Sequence, residues 1–126
     1  MAGSKYIPDV HLLEYGDGQG PDDLRVFVMD LVGSSLHYVF KYHHKHFSIR
    51  TCCILAKKMI AAVRDVHEKG LVHRDIKPSN FCLAPGRLDP DQSDVYLIDF
   101  GLAKQYMIDG QHIVEDRLRR GVSGTA

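Results

Sequence analysis

Apolar residues recur in alternating steps of three and four at Cys52, Leu55, Met59, Ala62 and Val66. That spacing lines one face of an α-helix. Ser48 stands where an N-cap belongs, because its hydroxyl can accept a backbone N–H of the first turn. His67 and Lys69 suit the negative end of the helix dipole, and Gly70 can take the left-handed conformation that closes a helix. The pattern predicts a helix from Ser48 to Lys69 that ends before Leu71-Val72. The adjacent Cys52 and Cys53 read as packed helix positions.

Elsewhere the apolar runs are shorter. Val10 to Tyr15 and Leu24 to Asp30 read as two strands, joined by the turn-rich stretch Gly16 to Asp23. The consecutive Val26, Phe27 and Val28 predict burial on both faces of the second strand. Gly33-Ser34-Ser35 then breaks the pattern, and a short helix follows from Ser35 to Tyr42. Phe81-Cys82-Leu83 and Val95 to Ile98 read as two further strands joined by Ala84 to Asp94. After Ile98 the chain reads as a polar tail without strong periodicity. His43, His44 and His46 crowd one loop, but a structural metal would need a fourth ligand, so they read as solvated.

Composition narrows the class without naming a function. A chain of 126 residues is enough for one domain, and 44% hydrophobic with 25% charged residues is ordinary for a globular protein. Sixteen basic residues balance sixteen acidic ones, so neither nucleic acid nor an anionic membrane is an expected partner. The cysteines, Cys52, Cys53 and Cys82, are odd in number and two are adjacent. That argues against a disulfide framework and for a reducing, intracellular setting, the cytoplasm or nucleus. Met1 to Lys5 has no apolar core behind it, which argues against a secretory leader.

The chemistry is concentrated in His73-Arg74-Asp75-Ile76-Lys77-Pro78-Ser79-Asn80 and in Asp99-Phe100-Gly101. Phosphoryl transfer needs a carboxylate to take the acceptor's proton, a cation for the moving phosphate charge, and hard oxygen ligands for magnesium. Asp75, Lys77, Asn80 and Asp99 are those residue types, set in a loop and at the end of the following strand pair. Chance occurrence of the combination, with its freedom of placement, is on the order of one in ten million, well below the false-positive risk of a single short motif. Gly16, Gly18 and Gly20 do not make a phosphate-cradling loop, because the position that would want a third-spaced glycine is Pro21, which has no N–H.

These motifs resemble the catalytic and magnesium loops of eukaryotic protein kinases, with Lys77 similar to the Ser/Thr-specific form. Phe27 to Leu36, His73 to Phe81, Asp99 to Tyr106 and Ser123-Gly124-Thr125-Ala126 are similar to the casein kinase 1 superfamily. The resemblance implies an α+β, partial protein-kinase-like fold: a small-lobe strand pair at about 8–30, a hinge at 30–35, and the start of a mainly helical large lobe over 36–126. It implies ATP and Mg2+ as cofactors and protein substrates, acidic or already phosphorylated. On that resemblance Asp75 is the catalytic base, Lys77 a γ-phosphate contact, and Asn80 and Asp99 the metal ligands. Thr125 would bridge Asp75 and Lys77. Met29 would be the gatekeeper, with Asp30 and Val32 offering backbone groups to adenine over an apolar floor of Cys82 and Ile98. Arg117 and Arg120, with Arg119 between, would receive a substrate's acidic or phosphate group.

The sequence also departs from the family's pattern. No Gly-rich loop precedes a strand lysine; Lys5 stands in a leading tail and Glu14 on a strand. The stretch Leu83 to Asp94 is a few residues longer than in casein kinase 1 proper, and Tyr38 stands where an acidic residue is usual. These features resemble the tau-tubulin and vaccinia-related kinase branches as much. They predict weak nucleotide binding by these residues alone, and apolar surface left in water.

Overall fold

The computed structural model describes residues 3–14, 26–108 and 110–113. Strands β1 (Val10–Glu14) and β2 (Val26–Met29) pair antiparallel, with Val10 opposite Met29 and Glu14 opposite Val26. The linker 30–35 leads into helix α1 (Leu36–Tyr42) and then into α2 (Ile49–Glu68). Both helices start as the sequence requires. Ser35 Oγ accepts Tyr38 N–H at 3.3 Å, and Ser48 Oγ accepts Thr51 N–H at 3.0 Å. A serine cap of this kind is worth about 1 kcal/mol. At the other end of α2, Gly70 takes a φ of 74° and lets the chain reverse into β3 (Leu71–Val72).

The core lies where α1 and α2 meet the hairpin of β4 (Phe81–Leu83) and β5 (Val95–Leu97). Leu36 and Val39 come from α1, and Leu55, Ala62 and Val66 from α2. Phe81, Leu83, Val95 and Leu97 come from the hairpin. The helical period therefore holds for Leu55, Ala62 and Val66, with Met59 packed at the margin. It does not hold for Cys52, which is exposed, as is Cys53. Cys52 opens onto a groove between α1 and α2, and neither thiol takes the packed position the period suggested.

Several other expectations are corrected. Phe27 and Val28 are 55% and 42% exposed rather than buried. Burying both faces of a strand takes neighbours on each side, and among the described residues β2 pairs with β1 alone. The segment around Lys5 is not a loose tail. Leu97 N–H donates to Tyr6 O at 2.8 Å, Ile7 is buried in the core, and Ser4 Oγ donates to Asp65 Oδ2 at 2.5 Å. The stretch after Ile98 is not structureless either. Strand β6 (Lys104–Gln105) pairs with β3, and β7 (Met107–Ile108) pairs with β8 (Gln111–His112). Two-residue strands are too short to carry a readable alternation. His43 is not simply solvated: its Nε2 lies 3.1 Å from Leu88 O and its ring packs beside Phe47. No group of three or more metal-ligating side chains occurs among the described residues.

Candidate active site

The loop 73–80 starts from a buried imidazole. His73 is 1% exposed. Its Nδ1 accepts Asp75 N–H at 3.3 Å and its Nε2 lies 3.0 Å from Ile98 O. The first partner is a donor and the second an acceptor, so the ring is the neutral tautomer with its proton on Nε2. Phe100 meets the same ring edge-on, with centroids 4.9 Å apart. One side chain thus joins the loop bearing Asp75 to both neighbours of Asp99. In the sequence His73 is only the first residue of the motif, and the signal for a structural task is a histidine that directly follows the apolar Leu71-Val72.

Between His73 and Asp75 the chain turns through Arg74, whose φ of 68° lies in the left-handed region. A side chain other than glycine there costs of order 1 kcal/mol or more and persists only when its surroundings hold it. Arg74 Nε donates to Leu102 O at 2.5 Å, which supplies part of that hold and ties the loop to the residues after Gly101.

Asp75 is 7% exposed, and its carboxylate is fully engaged on one side. Oδ2 receives Lys77 Nζ at 2.7 Å and Asn80 Nδ2 at 3.1 Å. Asn80 Nδ2 also donates to Asp75 O at 2.9 Å. A single 3-10 turn, Pro78–Asn80, bends the chain so that Asn80 comes back over Asp75. Proline fixes φ at the first position of that turn, where its missing N–H is no loss.

Asp99 is brought in by the hairpin register. Phe81 faces Leu97, and Ile98 N–H donates to Asn80 O at 2.9 Å. Asp99 is the next residue, so it emerges beside Asn80. Its φ is 64°, and its Oδ1 accepts Gly101 N–H at 3.3 Å. The structure therefore gathers Asp75, Lys77, Asn80 and Asp99 at one end of β4–β5.

The linker lies along β4. Gly33 N–H donates to Leu83 O at 2.8 Å, Leu83 N–H donates to Ser34 O at 3.0 Å, and Ser35 bridges Cys82. Cys82 is buried, and desolvation pushes its thiol pKa up. Ile98 and Met29 are half-buried near the two ends of this strip, Val32 is half-buried and Asp30 exposed. Asp30 N–H is committed to Asp9 O at 3.0 Å. The hydrogen bond from His11, at 2.6 Å, and a second from Asp9 N–H hold the Asp30 carboxyl below the usual carboxylate range. Arg117, Arg120 and Thr125 lie outside the described residues. Two apolar grooves, of about 650 Å³ and 530 Å³, run along α2 on the side lined by Met59 and Ala56, the first shared with Leu36 and Phe40 of α1.

A protein kinase domain model matches residues 10–119. The chain belongs to the protein kinase family. It is also similar to Casein kinase I homolog 2 of Schizosaccharomyces pombe, with 38% identity over 130 aligned positions. That alignment takes in 100% of this chain and 28% of the relative, so the chain spans a little over a quarter of that protein's length. The casein kinase 1 resemblance and the kinase-like fold expected from the sequence are borne out. Among the described residues, no helix is long and apolar enough to cross a membrane.

Proposed function

We propose that these residues form the phosphoryl-transfer centre of an ATP-dependent protein serine/threonine kinase of the casein kinase 1 type. The observation that carries this reading is the set of bonds on Asp75. Lys77 and Asn80 both bind one oxygen of a nearly buried carboxylate, while the register of β4–β5 delivers Asp99 alongside.

Asp75 is the base that accepts the proton of the attacking serine or threonine hydroxyl. The bonds from Asn80 and Lys77 fix the carboxylate plane before substrate arrives, so the alignment costs nothing at the moment of reaction. Lys77 supplies positive charge for the transferring phosphoryl group. Its attachment to Asp75 keeps it from wandering on a flexible stem. Thr125 is assigned the bridging hydroxyl.

The donor set fits a magnesium ion. Asn80 has spent its amide nitrogen on Asp75, which leaves its carbonyl oxygen as the ligand it can offer, and Asp99 adds a carboxylate. Magnesium takes hard oxygens and is often held by one or two carboxylates together with the nucleotide's phosphates. A bound ion would supply positive charge against the nucleotide's phosphates. Asn80 and Asp99 would hold it, with Gly101 N–H steadying the Asp99 carboxylate.

The adenine site is assigned to the linker, which acts as the hinge. Asp30 and Val32 are assigned the backbone contacts to the base; Asp30 N–H is used by Asp9, which leaves its carbonyl for that contact. Met29 closes the inner end, and Cys82 and Ile98 form the floor. Protein substrates are proposed, with Arg117 and Arg120 receiving an acidic or phosphorylated group, because guanidinium pairs well with phosphate. Three free thiols support a reducing, intracellular location.

A second reading is a kinase-like module that binds or regulates without catalysis. The readings separate on nucleotide. A complete kinase domain containing this chain should bind Mg-ATP and transfer its γ-phosphate to a serine or threonine peptide. Binding without transfer would favour the module.

A further inference from the structure

The β4–β5 connection, residues 84–94, is fastened more firmly than a surface loop requires. Lys58, on α2, donates from Nζ to Pro90 O at 3.0 Å, Asp91 O at 3.3 Å and Ser93 O at 2.7 Å. An ammonium group has three N–H donors, so all of them are spent on this one loop. Ser93 is 3% exposed. Its Oγ accepts Ala84 N–H at 2.9 Å and donates to Asp94 O at 2.8 Å. His43 adds a tether from α1 through Leu88 O.

The residues held this way are those the hinge rests on. Leu83 exchanges hydrogen bonds with Gly33 and Ser34, and Ala84 follows it. The fit is close: a Cβ on Gly33 would stand 2.4 Å from Ala84 O. A continuous run of bonds therefore joins α2 to the hinge, from Lys58 through Ser93 to Ala84, and by way of the adjoining Leu83 to Gly33. Loosening the loop would release the end of β4, and the hinge backbone would move with it.

We propose that Lys58 and Ser93 are positioning residues for nucleotide binding: by holding residues 84–94 they set the height of the hinge backbone above Cys82, and so the gap that takes the adenine. The proposal rests on the kinase reading above. Neither side chain touches nucleotide, and neither takes part in phosphoryl transfer.

The test is hydrogen–deuterium exchange on a complete kinase domain containing this chain, at low micromolar concentration, with and without millimolar Mg-ATP. Lys58→Met keeps the length of the side chain and removes its donors. It should speed exchange of the segment 30–36 at least tenfold and raise the ATP concentration for half-protection severalfold. The segment carrying Asp75 should keep its exchange rate. Lys58→Arg, which retains donors, should stay within about twofold of the unsubstituted domain, and Ser93→Ala should reproduce the hinge effect should Lys58→Met fail to fold. Unchanged exchange over 30–36 in both Lys58→Met and Ser93→Ala overturns the proposal. Equal acceleration in every segment also overturns it, since that is general destabilisation. If ATP protects no segment of the unsubstituted complete domain, the nucleotide role is overturned, while the exchange rates without ATP still decide whether Lys58 holds the hinge.

Discussion

Asn80 Nδ2 lies within hydrogen-bond distance of two oxygens of Asp75, the main-chain carbonyl at 2.9 Å and carboxylate Oδ2 at 3.1 Å. One amide group therefore fixes both the backbone and the side chain of the proposed base. Asn80→Ala should leave a nearly buried carboxylate short of a donor. Leaving such a group unsatisfied costs about 1–3 kcal/mol. We expect a loss of that size in denaturant unfolding, together with a fall in turnover. A variant of unchanged stability would mean that the Asp75 contacts are not formed in solution.

Gly33 is held by space rather than by torsion. Its added Cβ would meet Ala84 O at 2.4 Å and Leu83 O at 2.9 Å, and both are backbone atoms that cannot swing aside. Gly33→Ala should therefore shift the hinge and weaken ATP binding severalfold in a complete kinase domain, as measured by calorimetry. The affinity for a peptide substrate should change little. Equal ATP affinity in the two proteins would show that the hinge has slack at this point.

Asp65 links the leading segment to α2. Burial on its own pushes this carboxyl up, but hydrogen bonds from Lys69 and Ser4 and the charges of Lys69 and Arg64 hold it below its ordinary value. A lowered folded-state pKa gives stability that is present above the unfolded value of about 3.9 and is lost as pH falls through the lower folded value. The thermal midpoint of Asp65→Asn should lie below that of the unsubstituted chain by a constant amount from pH 7 to about pH 5. The gap should close below about pH 4. A gap of the same size at pH 3 would remove the carboxylate from the explanation.

Apolar surface on the strand pair and on α2 should make the chain self-associate. Phe27 is 55% exposed, Ile60 68% and Ile49 85%. Among the described residues β1 and β2 pair only with each other, and such open edges are a template for other chains. Light scattering at increasing concentration should show growth that Ile60→Lys reduces. A monodisperse monomer at high concentration would contradict this.

The sequence carried the elements whose signal is local. The helix at 49–68 was legible because its period is long and its cap is Ser48. The pair β4–β5 was legible because Phe81–Leu83 and Val95–Leu97 are bounded by turns. The motif residues Asp75, Lys77, Asn80 and Asp99 were legible as chemistry, and their proximity follows from the β4–β5 register. What was not legible depends on contacts far apart in the chain. Lys58 reads as one more helix-surface lysine until residues 90–93 are seen to converge on it. His73 reads as part of a motif until Ile98 O and Asp75 N–H define its tautomer. Tyr6 and Ile7 read as a tail because nothing local indicates that Leu97 N–H will bond there. The exposure of Phe27 and Val28 was misread because a run of apolar residues reports the preference for burial and not whether a covering layer is present.

The central claim is that Asp75 takes the proton of the attacking hydroxyl. It is tested most directly by phosphate transfer from γ-labelled Mg-ATP to a serine or threonine peptide, in a complete kinase domain containing these residues, with Asp75→Asn alongside. A positioned general base contributes about 10²–10⁴-fold, so turnover in the variant should fall by that factor while ATP affinity stays near that of the unsubstituted domain. Undiminished turnover in Asp75→Asn would contradict the account.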